Sequence, residues 1–216
     1  MFRLKNIPRS VEYTDEENDL AQLLNSKNYD TWTCPCPNTE FPRGTSTKRK
    51  KLKKKLKEQL LILQNNYCAY CGRNFNLVTN SKIHRDHILP KSMERYRKFT
   101  FESKNIVLSC DTCNGLDTKK ANDYVTTYND NYEGINTSIV HPHLDNIEEH
   151  VFLDNTFEAV VVNNSAKGIA TIREFNLNSE SNLVSRGAFM VLNETPISDD
   201  DYALLKSINN KFRSIT

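Results

Sequence analysis

The sequence predicts an α+β protein: strands and a helix stapled by four cysteines, with a basic helix in front and a mixed α/β extension behind. Three observations carry this. Leu52, Leu56, Leu60 and Leu63 recur at spacings of four, four and three, one stripe of a helix over about residues 47–65. Two C-x-x-C pairs, Cys68/Cys71 and Cys110/Cys113, each aim two sulfurs at one point, and together they complete a tetrahedral Zn2+ site. Between them, NLVTNSKIHRDHILP (residues 76–90) reads as a hairpin with turn residues Thr79 to Ser81, closed by Pro90.

The elements follow in order. Residues 1–46 mix acids, Pro, Asn and Thr, an irregular arm with a short helix at 15–25. Residues 47–124 hold the basic helix and the core. Within them KSMERYRKF is a short basic helix or loop, NIVLSC is an apolar run into the second cysteine pair, and CNGLDTKKAND starts a helix that Gly115 weakens. Residues 125–216 form an acidic extension that packs on the core or binds a partner. In it VFLDNTFEAVVVN is a hairpin turning at Asp154–Asn155, GIATIREF is a strand, and residues 179–192 are helical. A last helix starts at Ser198 as N-cap with Asp201 as its capping partner, carrying Tyr202, Leu205 and Ile208.

Charge is segregated along the chain. Net charge is +2, yet residues 48–57, KRKKLKKKLK, hold eight Lys or Arg and no acid, while the last 96 residues hold six bases against fourteen acids. Such a split points to one region that meets a polyanion and another with a different task. Lys50, Lys51, Lys53, Lys54, Lys55, Lys91, Lys119 and Lys120 are the candidate nucleic-acid contacts, and a solvated helix face is the bland reading of the run. The start, MFRLKNIPRS, has no apolar segment of a signal peptide, and no apolar run is long enough to span a bilayer, so a cytoplasmic location and no membrane partner are expected. In such a compartment paired C-x-x-C reads as zinc before disulfide. Cys34 and Cys36, spaced C-x-C between prolines, stay unassigned.

In order along the chain stand C-x-x-C, Asp86-His87, Asn105, C-x-x-C-Asn114 and Lys119. Through DHILPKS, NIVLSC and CDTCNGLDTKK the chain resembles the HNH endonucleases, with their ββα-metal fold, in the zinc-bearing branch. The resemblance implies a metal-dependent endonuclease. Its site residues are His87 as base for the attacking water, Asp86 and Asn114 as ligands of Mg2+ or Mn2+, and Asn105 as the residue that orients the loop carrying the histidine. The residue types suit the chemistry. Phosphodiester hydrolysis needs a nucleophilic water, a base and a cation. Neighbours on a strand point to opposite faces, so Asp86 and His87 can divide these tasks. Zinc is then a closed structural ion, separate from the catalytic one. Beyond the core, DTWTC, HP-x-LD and GIATIREFNLN resemble the HNH nucleases of Septu-type bacterial anti-phage systems (PtuB-like), which implies an ATPase partner. That group often has Glu where this chain has Asp86.

His84 shares the face of Asp86 and is available to phosphate or metal, though the family pattern does not need it; His141 and His143 have ligand-like spacing but no third ligand and read as structural. A zinc deaminase needs H-x-E and P-C-x-x-C, whereas Asp86 and Ser109 stand at those places and four thiolates leave zinc closed. A zinc-stapled module that binds nucleic acid or a protein partner without cutting is the main alternative. DNA is preferred over RNA as the nucleic acid.

Overall fold

A computed structural model describes residues 4, 6–77, 83–115, 118–119 and 121–194. Helix α1 (Asp15–Asn25) is where the sequence places it. Thr14 and Glu17 form a reciprocal capping box, three acids fill the first turn, and Leu20, Ala21 and Leu24 face inward. Helix α2 (Thr45–Leu63) starts at Gly44, whose φ of +89° suits a residue without a Cβ. Its stripe, Leu52, Leu56 and Leu60, is fully buried, and each leucine contributes roughly 1.5–3 kcal/mol of burial.

The central sheet differs from the expected hairpin. Strand β1 (Ile83–His87) pairs antiparallel with β2 (Ile106–Cys110), with Asp86 opposite Val107 and His87 opposite Ile106. Phe75–Leu77 is a single 3-10 turn, and Thr79 to Ser81 lie outside the described residues. The physical reason is burial. All five residues of IVLSC are buried, so this strand offers β1 an apolar partner. β1 stops three residues before Pro90, and the 88–105 connection carries a 3-10 helix at Glu94–Phe99.

β2 runs directly into α3 (Asp111–Asn114), a single turn ending at Gly115, so the helix expected from CNGLDTKKAND is shorter than the sequence suggests. α3 packs on both strands, giving the ββα arrangement its third part. The outer side of β2 is closed by a side chain. Gln64, just past α2, accepts from Leu108 N at 2.7 Å and donates to Leu108 O at 2.9 Å.

The acidic half adds two-stranded sheets, β3 (Val125–Thr127) with β4 (Asn136–Thr137) and β5 (Val151–Leu153) with β6 (Ala159–Val161). The second is the hairpin read from the sequence. GIATIREF forms helix α4 (Ala166–Glu174) rather than a strand. Ser165 caps it, and buried Gly168, Thr171 and Phe175 follow a helical period that the alternation had masked. A Cβ at Gly168 would stand 2.2 Å from His150 O, so only glycine admits this approach. Helix α5 (Glu180–Glu194) follows, and the predicted helix from Ser198 lies outside the described residues. Phe175 stacks on Tyr70, rings 4.1 Å apart, which seats this half on the core.

Gln64→Ala leaves Leu108 N–H buried without an acceptor and is expected to cost about 1–3 kcal/mol in urea unfolding; an unchanged midpoint would exclude this role.

Candidate active site

Cys68, Cys71, Cys110 and Cys113 are all buried, and their sulfurs lie within 4.8 Å of one another. The Cys71 and Cys110 sulfurs are 3.7 Å apart. Zn–S bonds of about 2.3 Å in a tetrahedron require an S···S edge of about 3.8 Å. The four residues therefore form a closed site suited to Zn2+. Without a cation the four sulfurs cannot ionise together. S–H donation from Cys113, Cys68 and Cys71 holds the Cys110 thiol far below its usual range, and burial pushes Cys68 up. Cys34 and Cys36 are free, half-buried and outside this cluster.

Tyr70 sits inside the first cysteine pair and donates from its hydroxyl to Asp86 Oδ2 at 2.6 Å. Burial and the Asp86 carboxylate push Tyr70 well above its ordinary range, so it stays a donor. The other carboxylate oxygen, Oδ1, accepts from Lys119 Nζ at 3.2 Å, and the same ammonium donates to His87 O at 2.6 Å. Lys119, expected at the surface against phosphate, is only 1% exposed. A buried carboxylate needs a counter-charge, and this lysine supplies it. Neither Tyr70 nor this pairing was read from the sequence; the one signal is the aromatic within C-x-Y-C.

His87 lies on the opposite face of β1 and is 5% exposed. Its Nε2 is 3.0 Å from Thr100 O. Burial lowers its pKa to about 3, so the ring is neutral at neutral pH. A neutral ring facing a carbonyl carries its proton on Nε2, which leaves Nδ1 with the lone pair. Trp32 of the N-terminal arm meets the ring edge-on, centroids 4.6 Å apart. Asn105 is fully buried. Its Oδ1 accepts from Leu89 N at 2.8 Å, and its Nδ2 donates to Phe99 O at 2.9 Å. It thus clamps both ends of the loop that presents Thr100 O. Tyr132 OH lies 3.1 Å from Asn105 Oδ1 and 2.9 Å from His141 Nε2. His141 Nδ1 accepts two backbone N–H groups, from His143 and Leu144, so its Nε2 is the donor to Tyr132. His143 Nε2 meets Ile106 O at 3.3 Å. Both histidines are built into the core.

Asn114 is half-buried at the end of α3. His84 is half-buried opposite Ser109, on the Asp86 side of the strand. The basic run is divided by its contacts. Lys50, Lys51 and Lys54 are exposed, and Lys54 pairs with Glu58. Lys55 pairs with Glu17, and Lys53 lies over the Trp32 ring at 4.5 Å. Lys91 pairs with Asp30 at 2.6 Å. Lys120 lies outside the described residues.

A carboxylate and an imidazole stand side by side on β1, next to a four-cysteine cluster. Residues 68–120 match the family HNH endonuclease. This segment resembles an HNH domain. It covers about a quarter of the chain and contains all four cysteines, Asp86, His87, Asn105, Asn114 and Lys119. The HNH domain implies nucleic-acid binding and a nuclease or nucleic-acid-related function. A search of curated proteins finds no match. Among the described residues no helix is long and apolar enough to cross a membrane.

Two outcomes are expected. Metal analysis of the purified protein gives one zinc per chain, and Cys71→Ser loses it together with several degrees of melting temperature; a zinc-free, equally stable protein would contradict the site. Acid should also destabilise the fold before its carboxylates titrate. His87, His141 and His143 are held neutral, with pKa values lowered to about 3, about 3 and about 4 by burial. The unfolded chain takes up these protons near pH 6.5, so their stabilisation is complete above that pH and is lost as pH falls towards 4. Urea midpoints at pH 7.5 and pH 5 measure it, and equal midpoints would refute it.

Proposed function

We propose that the protein is a metal-dependent endonuclease that hydrolyses nucleic-acid phosphodiester bonds, with DNA as the preferred substrate. One observation carries the reading: adjacent residues of β1 occupy two separate environments, a carboxylate anchored by donors on both oxygens and a neutral imidazole with one nitrogen fixed as acceptor. His87 Nδ1 takes the proton from the attacking water, and the Thr100 carbonyl stabilises the Nε2–H of the imidazolium that forms. Asn105 holds that carbonyl in place through the loop. Asp86 and Asn114 would hold Mg2+ or Mn2+. Each carboxylate oxygen has a second lone pair beyond the one used by Tyr70 or Lys119, and hard oxygen donors suit these ions. When bound, the ion supplies positive charge to the phosphate and the leaving oxygen. The four cysteines would hold Zn2+ as a structural ion, joining the first knuckle to the β2–α3 junction. Lys50, Lys51, Lys54, Lys91 and Lys120 are nucleic-acid contacts in this reading, Lys91 once it releases Asp30.

The layout outside residues 68–120, with its resemblance to Septu-type nucleases, supports a role in bacterial anti-phage defence in the cytoplasm. Residues 1–46 would then be an arm, 47–124 the nuclease and 125–216 the acidic surface for an ATPase partner. A second reading, a nucleic-acid-binding module that does not cut, is favoured by the burial of His87 and the Lys119–Asp86 ion pair.

A digest separates the two. The wild type is expected to cut supercoiled plasmid with Mg2+ or Mn2+ and not with chelator, with total RNA run in parallel. His87→Ala should lower the rate about 10²–10⁴-fold. Equal cutting by both proteins would overturn the catalytic assignment, and metal-independent binding without cutting would favour the second reading.

A further inference from the structure

Within the basic run of α2, Arg49 and Lys53 turn inward to the Trp32 segment, and Lys55 pairs with Glu17. Lys53 is a helical turn from Arg49 on the inward side of α2, while Lys51 and Lys54 point away. Lys53 Nζ lies 4.5 Å over the Trp32 ring and donates to Trp32 O at 3.2 Å. Arg85, two residues before His87 and on the same face of β1, donates to Lys53 O at 2.8 Å, with its guanidinium 5.8 Å from the same ring. Arg49, buried, donates to Thr31 O at 2.6 Å and to Cys34 O, while its Nε has no partner. Lys91 pairs with Asp30, two residues before the tryptophan. Four cations thus gather around one short segment with Asp30 as the acid among them.

This gathering needs a reason. Like charges brought together out of water raise the free energy of the fold unless an anion relieves them. Lys53 registers the strain: burial, with Arg85 and Arg49 close by, draws it down to about 8, and it remains mostly cationic at neutral pH. Lys53 and Arg85 are half-buried, so each keeps an open side for an anion. The Trp32 and His87 rings meet at right angles, and the indole face carries the two cations. Its two legs place Lys53 Nζ within about 10 Å of the His87 imidazole. A nucleic-acid strand carries one charge per about 3.4 Å of axis, so a backbone at His87 brings a nearby phosphate to these cations.

We propose that Lys53 and Arg85, set over the Trp32 ring, form a second phosphate subsite that binds the substrate backbone one or two nucleotides from the phosphate attacked at His87. The inference rests on the endonuclease reading. An arginine fork and a lysine point charge beside each other suit a phosphate diester, and neither reads the base. Trp32, from the N-terminal arm, spaces the subsite from the imidazole.

The test measures binding of a short fluorescent duplex by His87→Ala protein in chelator, over a range of salt. Lys53→Met and Arg85→Gln, made in that background, should each lower the slope of log K against log salt by up to about 0.9. Lys53→Arg and Arg85→Lys should restore it. In wild-type background the neutral variants should raise KM with little change in kcat. An unchanged slope in the neutral variants overturns the subsite. An equal loss in the charge-preserving variants also overturns it, because it assigns the residues to packing alone. If the wild type binds and loses slope as expected but never cuts, the endonuclease reading fails and the phosphate subsite stands. Absence of binding to any nucleic acid overturns both.

Discussion

The convergence of four cysteines is the constraint on which the rest depends. Cys68 and Cys71 follow α2, whereas Cys110 and Cys113 lie at the end of β2 and in α3. Bringing their sulfurs within 4.8 Å fixes the first knuckle against the β2–α3 junction. Three consequences follow. β2 is held between Gln64 on one side and β1 on the other. α3 is pinned across both strands although four residues are far too few for a helix to persist alone. Tyr70, caught between two cysteines, is delivered to Asp86 Oδ2. The structural site and the candidate catalytic carboxylate are therefore one mechanical unit, connected by a single hydroxyl.

The imidazole is controlled from elsewhere. His87 answers to Thr100 O, the loop carrying Thr100 is clamped by Asn105, and Asn105 is steadied by Tyr132 and His141. Tyr132 and His141 belong to the acidic half, which lies wholly outside the HNH segment. The arm contributes from the opposite direction through Trp32. The regions flanking the family segment thus contribute to the site, and the short HNH core does not set its imidazole unaided.

How far the sequence could be read follows from which forces are local. The α2 stripe, the α1 cap and the β5–β6 hairpin were legible because short-range periodicity and capping decide them. The cysteine cluster was legible because ligand geometry demands its spacing. The β1 partner was not, since pairing across 88–105 is a choice between distant segments and burial of IVLSC decides it. α4 was misread because GIATIREF fits two periods, and the close approach of Gly168 to His150 O selects the helical one. The order of Asp86, His87 and Asn105 marks them as candidates, but Tyr70, Trp32 and Tyr132 leave no such signal. They serve through contacts made across 16, 55 and 27 residues of chain, which no local pattern encodes. Lys119 shows the same limit: its residue type suggested phosphate, and its burial assigns it to Asp86.

In the proposed mechanism the chain keeps two cation sites apart, a closed sulfur site and an oxygen site at the buried Asp86 carboxylate on β1. Anomalous diffraction from crystals grown with Mn2+ tests it most directly, with data on either side of the zinc and manganese edges. The account predicts a zinc peak amid Cys68, Cys71, Cys110 and Cys113 and a separate manganese peak bonded to Asp86. Manganese absent from Asp86 at a concentration that supports cleavage, or seated among the sulfurs, would contradict it.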